Sequence, residues 1–106
     1  MSGTTLLGAK EVFILDASEF ERPGSWPLWI KMTVAKKGAG EEPHTHPDGH
    51  FTWLAKGSAL FYKNGAMKEY TAPAVIWTEG GVPHHIIALE DDTHWGCIHD
   101  RRALAR

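Results

Sequence analysis

The chain has a single cysteine, Cys97, so it cannot close an internal disulfide, and a reducing, cytoplasmic setting is expected. In the stretch Thr93-His94-Trp95-Gly96-Cys97-Ile98-His99 that thiol reads as a buried, inert one rather than a nucleophile. No apolar run approaches the roughly 20 residues that span a bilayer, because charged or turn residues interrupt every hydrophobic stretch. The opening residues Met1 to Gly8 lack the charged and apolar regions of a secretion signal. Charge of either sign is scarce in excess: the formal net charge is -2, too little for a field that would draw the molecule to nucleic acid or an anionic membrane. The arginines of the tail Arg101 to Arg106 read as a solvated end. Helical spacing of apolar residues, internal repeats and low-complexity segments are also missing.

What remains is the composition of an ordinary globular domain, 42% hydrophobic and 23% charged over 106 residues, so residues 1–106 are expected to form one domain around one core. Short runs rich in β-branched and aromatic residues predict strands at Glu11–Asp16, Leu28–Ala35, Phe51–Ala55, Ser58–Lys63, Met67–Tyr70, Ala74–Trp77, His84–Leu89 and Thr93–His99. Asn64-Gly65 suits a type I′ hairpin turn, since both residues accept positive φ. Pro47-Asp48-Gly49 and Glu90-Asp91-Asp92 mark further turns, and Arg22 to Pro27 reads as an irregular connection. Many short strands in so few residues point to an all-β jelly-roll barrel.

Three of the seven histidines fall within Glu41-Glu42-Pro43-His44-Thr45-His46-Pro47-Asp48-Gly49-His50, and a fourth, His84, follows Val82-Pro83. In an extended chain His44 and His46 are two apart and point to the same face, as two imidazoles must to converge on one metal ion. The turn at Pro47 to Gly49 is expected to fold the next strand back beside the first, so that His50 reaches the same point across a hairpin. By strand parity His85 points opposite to His84. Nothing in the pattern draws in His94 or His99.

At this spacing the residues resemble a known family. Gly38, five residues, His44-Thr45-His46, three residues, His50, six residues and Gly57 resemble the first motif of the cupins, with His50 where a glutamate usually stands. Gly81-Val82-Pro83-His84, within residues 73–88, resembles the second motif, whose histidine completes the metal site. Pro73, Glu79 and Ala88 depart from that motif, at positions where Gly, Pro and Asn are common. The resemblance implies a small double-stranded β-helix and a divalent metal held by His44, His46, His50 and His84. Glu41, Glu42 and Asp48 flank the ligands and are the carboxylates that would substitute if His50 pointed away.

Four neutral imidazoles leave the charge of a divalent ion uncompensated and two octahedral positions open, which favours anionic, chelating, oxygen-rich ligands such as enolates, β-diketonates or carboxylates. Iron(II) is the first candidate, because the resembled family includes histidine-rich non-haem iron dioxygenases; nickel, zinc, manganese and copper are the others. The expectation is therefore a dioxygenase-type enzyme acting on a small anionic or enolisable molecule. A metal-dependent binding or sensing module and a non-redox isomerase or lyase are the competing classes. No general base stands out, and Glu79 reads as an exposed loop carboxylate. Parity with His50 and His84 places Thr52, Leu54, Ile86 and Ala88 in a largely apolar interior. Trp26, Trp29, Trp53, Trp77 and Trp95 are expected mostly in the core or at a dimer interface. The resemblance also implies a homodimer, with Glu11–Asp16 as the candidate edge strand.

Overall fold

The structure, a computed structural model, describes residues 6–16 and 28–100. Eight strands follow one another: β1 (Leu6–Asp16), β2 (Leu28–Glu41), β3 (His50–Lys56), β4 (Ser58–Lys63), β5 (Ala66–Thr71), β6 (Ala74–Thr78), β7 (His84–Ala88) and β8 (Thr93–Asp100). All eight expected runs are strands, and β2 continues beyond Ala35 to Glu41. Their pairing is antiparallel in the order β5-β4-β7-β2-β8-β3-β6, with β1 beside β2, and the sheet curls into a nearly closed barrel. Among the described residues no helix is long and apolar enough to cross a membrane. Met1 to Thr5, the connection Arg22 to Pro27 with Trp26, the Trp29 side chain and the tail Arg101 to Arg106 lie outside what is described.

Alternation along the strands decides what faces inward. On β3, His50, Thr52 and Leu54 are buried while Phe51 and Trp53 are exposed; on β7, His84, Ile86 and Ala88 are buried. With Ala35, Ala59, Phe61, Ile76 and Trp95 these apolar residues form one core cluster. Burying a side chain the size of Leu54 or Ile86 contributes about 1.5–3 kcal/mol. Of the tryptophans whose side chains are described, only Trp95 is in the core. Trp53 and Trp77 lie on the outer face, where Phe51 pairs with Trp77 and Trp53 with Val75 across β3 and β6.

Two turns and one bend set the register. Asn64 and Gly65 carry φ of 51° and 82°, as the β4–β5 hairpin requires, and Asp92 turns the chain into β8 at φ 58°. Gly38, at φ 85°, lies where β2 stops following β8, so that Gly40 pairs with Ile87 of β7 instead. A Cβ on Gly40 would run into the Ile86 carbonyl oxygen, so only glycine allows this approach. The redirected strand carries Glu41, and then His44, towards the start of β7.

Candidate metal centre

His44 follows β2 and pairs with His84 in an isolated bridge, each backbone N–H donating to the other's carbonyl at 3.0 Å. Gly81 N donates to His46 O at 2.7 Å. The His44–His46 segment therefore runs beside the entrance to β7. The expected hairpin against β3 does not form, because β3 is paired on its two sides with β6 and β8. His50 arrives by that pairing. It begins β3 opposite Thr78, and Phe51 after it pairs with Ile98, which places His50 beside His99.

Five imidazoles meet as a result. His44 lies 4.8 Å from His46 and 4.3 Å from His84 between ring centroids, and His46 lies 5.4 Å from His84. His50 is 5.1 Å from His46, 5.0 Å from His84 and 4.7 Å from His99, on which it stacks. Two groups have ring nitrogens within 4.8 Å of one another: His44, His46 and His84, and His46, His50 and His99. His46 belongs to both.

Backbone carbonyls choose the tautomers. His44 Nδ1 donates to Glu42 O and His84 Nδ1 to Val82 O, each at 2.8 Å, which leaves Nε2 of each ring with its lone pair bare. His84 Nε2 and His50 Nδ1 are buried without a hydrogen-bond partner among the described residues. Buried nitrogens left unpaired are costly, and a cation is what bare lone pairs of this kind fit. Burial first, and then the other histidines, pushes His46 down to about 4, while burial and the neighbouring His99 and His84 push His50 down to about 3. Burial and then Lys31 hold His99 at about 4, and burial lowers His44 and His84 as well. The rings are neutral at pH 7, the form that ligates metal. Metal–nitrogen bonds of about 2.0–2.1 Å put two ligands of one ion at most about 4.2 Å apart, so a divalent transition ion fits either group with small side-chain movement.

The structure thus brings together His44, His46, His50 and His84, the four positions singled out in the sequence. It adds His99, which the sequence reading set aside. Parity along β8 puts His99 on the buried face with Trp95 and Cys97, but only the register against β3 shows that this face meets His50. His85 faces outward and stacks on Tyr62 at 4.2 Å, and His94 bonds Asp92 at 2.8 Å. Glu79 is exposed and reaches Lys63 at 3.3 Å. Neither histidine group includes Glu41, Glu42 or Asp48.

The interior next to the rings is less apolar than expected. Thr52, Leu54, Ile86 and Ala88 are buried there as predicted, but so are Lys31, 5% exposed, and Glu41, 4% exposed. Burial raises the Glu41 carboxyl from 4.5 to about 7; Lys31 and the Trp95 side chain pull it back, although the indole N–H forms no hydrogen bond of good geometry. Burial also pushes the Cys97 thiol far up, so it is inert, in agreement with the sequence reading. Nothing in the Leu28-Trp29-Ile30-Lys31-Met32 run marks Lys31 as an inward residue; its place follows from pairing with Cys97.

No family model matches the sequence, and no curated protein matches it. Solved structures do match. A cupin 2 domain-containing protein from Halorhodospira halophila superposes with a TM-score of 0.72 at 14% identity, over 94% of this chain and 79% of that one. An RmlC-like cupin from Shewanella frigidimarina gives 0.68 at 16%, over 92% and 85%. An RmlC-like cupin with a double-stranded β-helix fold from Methanocaldococcus jannaschii gives 0.65 at 13%, over 74% and 76%. The chain has the cupin fold. In this barrel the histidine clusters, which could hold a metal, sit at the end of the interior where the His44–His46 segment meets β7.

Proposed function

We propose that this cupin holds one divalent transition metal through His44, His46, His50 and His84, and that it is a dioxygenase-type enzyme acting on a small anionic or enolisable substrate. One observation carries the reading: bare, neutral ring nitrogens converge, and neither group of candidate ligands includes a carboxylate. When bound, the metal would supply Lewis-acid polarisation of chelating oxygens and, as iron(II), a route for electrons to dioxygen. The protein's part is to keep the imidazoles neutral, to hold His44 and His84 in one tautomer through Glu42 O and Val82 O, and to brace His50 against His99.

Protein loaded anaerobically with iron(II) should consume oxygen when given a chelating enol. Consistent failure across such enols overturns the oxygenase reading. Equal turnover under nitrogen with zinc or nickel assigns it instead to the isomerases or lyases, and tight metal-dependent binding without turnover makes it a binding module. A cytoplasmic setting belongs to the same proposal, in keeping with the lone buried thiol of Cys97. So does a homodimer formed along a sheet edge: β1 pairs only with β2 among the described strands. A monomer in sedimentation at all accessible concentrations would overturn the dimer.

A further inference from the structure

The turn between β6 and β7 is tied down from two sides. On one side Gly81 N donates to His46 O, and Gly80 lies so close to Pro47 that a Cβ there would run into the Pro47 carbonyl oxygen. On the other side the β4–β5 hairpin holds both ends of the turn. Lys63 Nζ donates to Trp77 O at 2.9 Å and reaches the Glu79 carboxylate at 3.3 Å, where the turn begins. Asn64 N donates to Pro83 O at 2.8 Å, where it ends. Since β6 ends the strand order on one side and β4 lies next to its other end, the Lys63 bond to Trp77 O spans the seam of the barrel.

This turn carries the aim of two histidines. Val82 O takes the His84 Nδ1 proton and so presents Nε2 to the cluster, and Lys63 is the cross-strand partner of His84. Trp77 precedes Thr78, which is fully buried and pairs with His50. The two grips of Lys63 differ in weight. Its pair with Glu79 has side chains 37% and 54% exposed, and exposed ion pairs contribute little. Its bond to Trp77 O is a charge-assisted one to the main chain, which is stronger and fixes a peptide group.

We infer that Lys63 is a positioning residue of the metal centre: by gripping Trp77 O it fixes the β6–β7 turn, and through Val82 O it sets the tautomer and aim of His84. The inference rests on the metal reading for its consequence, while its effect on His84 is readable without metal. Positioning and simple electrostatics predict opposite signs. Burial lowers the proton affinity of His84, the Lys63 charge adds to that, and the same charge would repel a bound cation. Deleting the charge alone should therefore tighten metal binding, whereas loosening the turn should weaken it.

Lys63→Met removes the grip and keeps the aliphatic stem, and Lys63→Arg keeps a cationic donor. In metal-free protein, nitrogen NMR of the imidazoles should show His84 protonated at Nδ1 in wild type and Lys63→Arg, and a mixture of tautomers in Lys63→Met. Cobalt(II) affinity, read from its visible bands in competition with a chelator, should fall about 10–100-fold in Lys63→Met and stay close to wild type in Lys63→Arg. The melting temperature of metal-free Lys63→Met should stay close to wild type. An unchanged His84 tautomer in Lys63→Met, or cobalt affinity equal to or above wild type, overturns the inference. So does a loss that Lys63→Arg shares, or one accompanied by a collapse of the metal-free melting temperature. Absence of cobalt binding in wild type while the tautomer still shifts in Lys63→Met overturns the metal reading and supports the grip on His84.

Discussion

The imidazole of His50 stacks on that of His99, with ring centroids 4.7 Å apart and planes 18° from parallel. Two imidazolium ions would repel each other at this distance, so the stack belongs to the neutral rings, in line with the downward shift of both. It also couples β3 to β8 at the point where His46 reaches both His50 and His84.

His46 shares ring-nitrogen proximity with both histidine groups, so its loss should be the most damaging. Metal analysis of protein purified without chelator should find background levels in His46→Ala. His99→Ala should retain metal with affinity lowered by about 10–100-fold, the usual effect of removing a group that braces a ligand. Unchanged affinity in His99→Ala would reduce that ring to packing, and background metal would make it a ligand.

Metal and proton compete for the same lone pairs, and an unperturbed histidine would begin to release metal near pH 6.5. With His46 and His99 near 4 and His50 near 3, protons compete only at lower pH. Bound metal should stay level from pH 8 to about 5 and fall below that. The metal-free protein should behave differently. Its unfolded chain takes up protons near pH 6.5 while the folded rings refuse them, so its melting temperature should drop as pH falls from 6.5 towards 4. Half-release of metal close to pH 6.5 would contradict the burial of these rings.

Glu41 acts in the opposite sense. Its folded value, about 7, stands above its ordinary 4.5, so its contribution to stability is complete below 4.5 and is lost as pH rises through 7. Relative to Glu41→Gln, wild type should lose roughly 3 kcal/mol between pH 4.5 and 8. Urea midpoints of the pair across that range test it. Parallel pH profiles would mean that the carboxyl ionises freely in the fold.

Gly40→Ala should destabilise the barrel by about 3 kcal/mol, because the added Cβ meets the Ile86 carbonyl oxygen and the two strands must part. Gly65→Ala is the matched comparison. There the Cβ meets nothing within 4 Å, so only the strain of φ 82° is felt. A smaller urea-midpoint loss for Gly40→Ala than for Gly65→Ala would show that β2 and β7 are not so closely apposed.

Alternation of side chains and turn chemistry are local, and they were sufficient for the eight strands, the Asn64-Gly65 hairpin and the outward direction of His85. Spacing alone placed His44 and His46 on one face, and the motif resemblance brought in His50 and His84. The route by which His50 arrives was misread, since a turn at Pro47 to Gly49 is compatible with any partner for the next strand. Long-range pairing settled on β6 and β8.

By itself, then, the sequence determined that the chain is all-β and that His44 and His46 share one face, because period-two patterning and short-range turns are written in neighbouring residues. Only the tertiary structure decided that His99 joins them and that Lys31 and Glu41 share the interior. Those placements depend on the register of β2 and β3 against β8, and register follows from the burial of whole strand faces together, not from any one residue's neighbours in the chain.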